Sequence, residues 1–152
     1  MGGLSIWHIL ILLIVVAVVP AIVLVVAVRP TGPNRFGPPS EPVSFAGAVA
    51  TCLRKYADFN GRARRSEYWW FYLAFWLIIA AIGFVARVTE MQIINLVSLA
   101  LMIPLLAAGA RRLHDSNRSA LWLLLGFTGI GGIALIVLLA QPSQGDEAAK
   151  VF

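Results

Sequence analysis

What most limits the folds open to this chain is where its charges stand: long aliphatic runs alternate with short basic stretches. Ile6 to Val28 is almost wholly aliphatic, broken only by His8 and Pro20. About 20 such residues carry a helix across the hydrocarbon core of a bilayer. Comparable runs follow at Trp69–Ala86, Ile93–Ala110 and Leu121–Ala140. Hydrophobic residues make up 60% of the chain and charged residues 12%, where soluble domains hold roughly 45–50% and about 25%. So small a globule has no interior to hide that surplus, and lipid is the expected solvent. The expected fold class is all-α: a polytopic helical membrane protein of about four transmembrane helices plus a short interfacial amphipathic helix.

The first run, residues 1–28, reads as a permanent span rather than a secretory signal. No Lys or Arg precedes it and no small-residue cleavage site follows it. Residues 29–43 form a linker, where Pro30, Pro33, Pro38, Pro39 and Pro42 forbid a helix. Residues 44–140 make the membrane domain, and 141–152 a polar tail. Within that domain Phe45, Val49, Cys52, Tyr56 and Phe59 recur at steps of four and three, which puts them on one helical face. Ser44 suits the start of this helix and Asn60-Gly61 its end. Too short to span, it is expected either on the membrane surface or packed on the bundle. Ala107 to Ala110 is a run of small residues that permits close helix contact. Gly126, Gly129, Gly131 and Gly132 interrupt the last apolar run, which leaves two readings: one span, or two short pieces in a re-entrant hairpin. Trp69, Trp70 and Trp122 open apolar runs, as interfacial aromatics do.

Orientation follows from the basic residues. Arg29, Arg35, Arg54, Lys55, Arg62, Arg64 and Arg65 lie between the first and second runs, and Arg111, Arg112 and Arg118 between the third and fourth. Arg87 and Lys150 stand apart. Positive-inside logic places both basic loops in the cytoplasm. The expected location is a membrane crossed several times, with the basic loops on its cytoplasmic side. The formal charge of +5 is confined to these loops, so nucleic acid is not an expected partner.

The loops also carry the candidate site: Arg62, Arg64, Arg65 and Glu67 in one, Arg111, Arg112, His114, Asp115 and Arg118 in the other. Spacings of three and four suggest the pairs Arg64–Glu67, Arg111–Asp115 and Asp115–Arg118. In the plainer reading the arginines anchor helix ends and pair with the nearby acids. In the sharper one they bind an anionic phospholipid headgroup or a protein partner, since guanidinium forks grip phosphate bidentately. His114 beside Asp115 lacks a nucleophile placed with it, so no catalytic residue is assigned and the chain is read as non-enzymatic. Cys52 is the chain's one cysteine, and the sequence offers no metal site and no cofactor. A small transporter or channel component is the alternative, with His8, Asn95 and Ser98 as polar groups within spans. A homo-oligomer is a further expectation, from the small-residue faces.

FAGAVATCLRKYADFNGRARRSEYWWFYLAF, followed after the next run by RRLHDSNRSALWLLL, resembles the bacterial inner-membrane family catalogued as domain of unknown function 805. The motifs GRARRSEYW and RRLHDxxRSxxW at this separation carry the resemblance over residues 44 to about 140. It implies a small polytopic membrane protein and no particular activity. Family members usually close on a tail close to GTPGxNRFGP, whereas here TGPNRFGPP stands at 31–39, directly after the first run. The first helix and this loop therefore resemble a relocated copy of the family's last helix and tail. Asn34, Arg35 and Phe36 then become a docking loop for the arginine motifs, which favours the hairpin. The beginning, MGGLSIWHILILLIVV, is similar to the small pore subunit of the twin-arginine translocase. That likeness implies an accessory role in protein export, although the hinge and basic helix of that subunit are missing.

Overall fold

The computed structural model describes residues 32–89 and 94–145. The first apolar run, His8 and the translocase-like beginning lie outside the described residues. The elements in order are α1 (Phe45–Arg54), α2 (Arg65–Thr89), α3 (Ile94–Asp115), a 3₁₀ helix (Ala120–Phe127) and α4 (Gly129–Ala140). Among the described residues the chain is all-helical.

Two helices are long and apolar enough to cross a membrane, over Arg65–Ala86 and Asn95–Asp115. At 25 and 22 residues they reach roughly 37 and 33 Å at 1.5 Å per residue, against about 30 Å of hydrocarbon. Both begin or end further into the basic motifs than the apolar runs predict. Arg65, Glu67, Arg111, Arg112 and Asp115 are therefore residues of helix ends, not of loops. Aliphatic side chains mark where lipid starts; the backbone hydrogen bonds continue as long as the arginines can be satisfied beyond it.

The fourth apolar run does not form one span. It is broken at Thr128 into a 3₁₀ helix of 8 residues and an α-helix of 12, each about half the hydrocarbon thickness. α3 ends in a Schellman turn: Arg118 N–H donates to Leu113 O at 2.9 Å and Asn117 N–H to His114 O at 3.0 Å. Asn117 takes the left-handed conformation, φ 57°, that this turn requires. The chain then leaves the end of α3 at Ala120 and comes back to it, since Arg118 Nη2 donates to Gln141 Oε1 at 3.0 Å. Of the two readings of residues 121–140, the structure takes the re-entrant hairpin. Its outer side is apolar, with Phe127 81% and Ile130 88% exposed, as lipid contact demands.

α1 is shorter than its pattern suggests. Ser44 Oγ caps it by accepting from Gly47 N–H at 3.2 Å, but Lys55 ends it, so Tyr56 and Phe59 fall in the following loop. α1 packs on α2 and α3, burying Ala48 and Cys52 completely. The loop runs along α3, and the Tyr56 hydroxyl donates to the carbonyl of Ala100. That carbonyl lost its usual donor because Pro104, four residues on, has no N–H. Tyr56 thus satisfies a backbone group that lipid cannot.

The core gathers at the arginine end. Tyr68, Trp69 and Phe71 of α2 meet Ala108 and Leu113 of α3, with Cys52 and Leu139 joining. The small residues of α3 make this contact close: a Cβ on Gly109 would stand 3.1 Å from Leu123 and 3.6 Å from Tyr68. Trp69 is a buried member of this cluster, edge-on to Tyr68 and Tyr72, not the interfacial aromatic its position suggests. Trp122 remains exposed.

Candidate functional site

The arginine end is organised around Asp115 in the last turn of α3. Its Oδ1 accepts from Arg62 Nε at 2.9 Å, with Arg62 Nη2 at 2.8 Å but poorly angled. Its Oδ2 accepts from Arg112 Nη1 at 2.6 Å and from the Ser143 hydroxyl. Its backbone carbonyl accepts from Gln144 N–H at 2.9 Å. One carboxylate therefore joins the segment before α2, α3 itself and the tail beyond α4. Both ion pairs are fully buried. Arg112 also donates from Nε to Leu139 O at 2.9 Å and from Nη2 to Gln141 O, tying off the last carbonyls of α4. A guanidinium suits this place because helix C-termini carry unmatched acceptors and negative partial charge.

Arg111, next in sequence, points elsewhere. Its Nη1 pairs with Glu67 of α2, and the Cys52 thiol of α1 lies beside it. Arg111 Nε and Nη2 have no hydrogen-bond acceptor among the described residues. Arg65 is buried within the field of Asp115 and Arg112. The pairings thus differ from those that spacing suggests. Asp115 takes Arg62 and Arg112 in place of Arg111 and Arg118, and Glu67 takes Arg111 in place of Arg64. Spacing along one helix does not register the neighbouring helix, and here the neighbour decides. Arg118 holds the Gln141 side chain, and Arg64, half-buried, places its backbone N–H on Ser40 Oγ at 3.0 Å.

The linker motif is docked on the same end. Asn34 is buried, and its Nδ2 donates to His114 O and to Gln144 O, both at 2.9 Å. Its Oδ1 accepts from Phe36 N–H at 3.0 Å. A tight turn closes between Asn34 and Gly37, whose φ of 115° only glycine takes without strain. The Phe36 ring stacks on His114 with centroids 4.0 Å apart, and Arg35 sits over its other face at 4.7 Å while donating to Asn117 O at 3.2 Å. Arg62 completes the dock from inside, donating to the carbonyls of Gly32 at 3.1 Å and Gly37 at 3.0 Å. The tail lies alongside, Gly145 close against Gly32 and Pro33. All three docking-loop residues therefore meet the second arginine motif or the tail.

His114 and Asp115 do not act on each other. His114 Nδ1 contacts Gly61 O at 3.1 Å, and Asp115 is occupied by two arginines and a serine. Ser143, Gln144 and the carbonyls of Leu139 and Gln141 complete this end, and no sequence pattern assigns them to it. A polar tail of ordinary composition gives no sign that it returns to an upstream arginine. Among the described residues no His, Cys, Asp and Glu group has the arrangement of a metal site.

Two helices long and apolar enough to cross a membrane, a hairpin with an apolar outer side and a charged end closed by its own chain are the features of a small helical membrane protein. The chain belongs to the family described as Protein of unknown function (DUF805), whose model matches residues 56–149. It is 40% identical over 99 residues to Inner membrane protein YhaI of Escherichia coli (strain K12), a match covering 62% of this chain and 84% of the relative. It is 34% identical over 103 residues to Inner membrane protein YhaH of the same strain, covering 62% and 85%. No solved structure matches. The family and its relatives place the chain in the bacterial inner membrane.

Proposed function

We propose that this chain is a non-enzymatic, multi-pass membrane protein whose arginine end faces the cytoplasm and binds anionic phospholipid headgroups. The observation that carries the reading is an imbalance of charge. Arg62, Arg65, Arg111 and Arg112 surround two carboxylates, Glu67 and Asp115, and all six are buried. Buried charge is costly unless compensated, and the exposed cations Arg35, Arg54 and Lys55 add to the surplus. The cytoplasmic leaflet supplies the matching negative potential, worth about 1 kcal/mol per cation near the surface. Positive-inside bias turns the same end toward the cytoplasm. That His114 and Asp115 serve as a stacking partner and an ion-pair hub supports a non-enzymatic role.

Native mass spectrometry of the protein released from nanodiscs of phosphatidylethanolamine and phosphatidylglycerol tests this. Arg62, Arg111 and Arg112 hold the fold, so the comparison variant carries Arg35→Gln, Arg54→Gln and Lys55→Gln. Wild type should retain phosphatidylglycerol preferentially and the variant should lose roughly a hundredfold in that preference, at about 1 kcal/mol per charge. Equal retention of the two lipids by wild type ends the reading, and a co-released acidic protein would replace headgroups by a partner. The same spectrum gives the oligomeric state.

A further inference from the structure

The hairpin leaves its tip bare at a depth that lipid serves badly. At 12 residues α4 rises about 18 Å from the arginine end, which puts its first turn near the middle of roughly 30 Å of hydrocarbon. There the 3₁₀ helix ends and α4 begins, so the N–H groups of that first turn have no partner within the helix. Thr128 gives no side-chain cap, because its hydroxyl donates to Leu125 O at 2.9 Å. Broken backbone at this depth is tolerated where protein covers it, not where lipid does. The side chains around it are open: Ile130 is 88%, Ile133 69% and Val137 57% exposed. With the exposed Ala134 they form one stripe along α4.

We infer that this stripe is covered by residues 6–28 of the same chain, packed parallel to α4 and reaching past its first turn. The tether places them. Gly32 lies against the tail, since a Cβ on Gly145 would stand 3.3 Å from Gly32 N and C, and its carbonyl is held by Arg62 Nη1 at 3.1 Å. Val28 precedes Gly32 by four residues, a reach of at most about 14 Å. Gly145 follows the end of α4 by five. Both apolar segments therefore enter the membrane side by side, and effective concentration favours so closely tethered a neighbour over a free one. At 1.5 Å per residue Ile6–Val28 extends roughly 35 Å, enough to pass the tip. Equal steps back from the Gly32–Gly145 contact set Ala17 beside Ile130, Ala21 beside Ala134 and Leu24 beside Val137. Ala17 and Ala21 are small enough for close approach. Pro20 adds a matching need: it has no N–H, so in a helix the Val16 carbonyl lacks its donor. That carbonyl comes level with the turn of α4 whose N–H groups lack acceptors.

The test is disulfide trapping of the full chain in native membranes, with Cys52→Ala as background. One cysteine replaces Ile133 or Val137, a second replaces each of residues 16–25 in turn, and copper phenanthroline closes the pairs. Non-reducing gels and mass spectrometry separate intramolecular from intermolecular products. With Ile133→Cys the strongest intramolecular product should fall at position 20 or 21, and with Val137→Cys it should move one helical turn later. Yields on that face should exceed those on the opposite face, and those with Leu77→Cys of α2, by about fivefold. The shift between the two anchors reports register, so a misfolded chain does not imitate it. Disulfide-linked dimers overturn the inference in favour of a second copy. Uniformly low yield leaves the stripe to lipid and overturns it as well, and a peak with Leu77→Cys seats the run on α2 instead.

Discussion

Removing the charge of Asp115 strands two guanidiniums, Arg62 and Arg112, in a region neither water nor lipid can serve. Breaking a buried pair from one side costs about 3–5 kcal/mol. Asp115→Asn should therefore lower thermal stability in detergent by that order and reduce the amount in membranes. Arg64→Gln, with its side chain partly exposed, should stay within about 0.5 kcal/mol of wild type in the same melt. Cys52 makes a second test. Burial pushes its thiol from 9.0 up to about 12, with Glu67 adding to the rise and Arg111 opposing it. The folded protein should thus resist maleimide at pH 8 and react once denatured. Because the folded thiol holds its proton where the unfolded one has lost it, stability should fall as pH rises from about 9 to about 12. Below that window it should be indifferent to Cys52.

Helix ends and breaks carry their own predictions. Tyr56→Phe withdraws the hydroxyl donor offered to Ala100 O where Pro104 has no N–H to give. An unsatisfied carbonyl costs about 1–3 kcal/mol, and the loss should appear as a lower melting temperature. At the tip of the hairpin two adjacent glycines are not equivalent. A Cβ on Gly131 would stand 2.6 Å from Leu125 O and closer still to Thr128 Oγ1, while on Gly132 it would meet nothing within 4 Å. Gly131→Ala should destabilise the hairpin by about 1–3 kcal/mol. Gly132→Ala should be neutral or stabilising by up to about 1 kcal/mol. Parallel melts of the two variants distinguish a tight hairpin from a continuous span, in which both alanines would be welcome.

The whole molecule is held at one end. The linker, the start of α2, the end of α3 and the tail converge there, joined by Asp115, Arg62, Arg112 and Asn34. A hairpin returning to that end puts Glu41 and Pro142, both exposed, on one side of the membrane. With Cys52 replaced by alanine, Glu41→Cys and Pro142→Cys should react with a membrane-impermeant maleimide from the same side. Labelling from opposite sides would require residues 120–140 to cross. In spheroplasts, both should stay protected until the membrane is opened, if the arginine end is cytoplasmic.

The lipid solvent, the helical class and the grouping of the basic residues beside the apolar runs were legible along the chain. Those depend on quantities that add along the chain: apolar length against bilayer thickness, and the position of basic residues beside it. Ser44 as a cap and the small residues of α3 were legible for the same local reason. Tertiary structure alone decided which arginine meets which acid, that α1 stops before Tyr56, and that the last apolar run turns back. Each depends on a partner distant in sequence: Glu67 for Arg111, Ala100 for Tyr56, the carbonyls of Leu139 and Gln141 for Arg112. A buried charge or an orphaned carbonyl must find its complement wherever the fold brings one, and that choice is made in space.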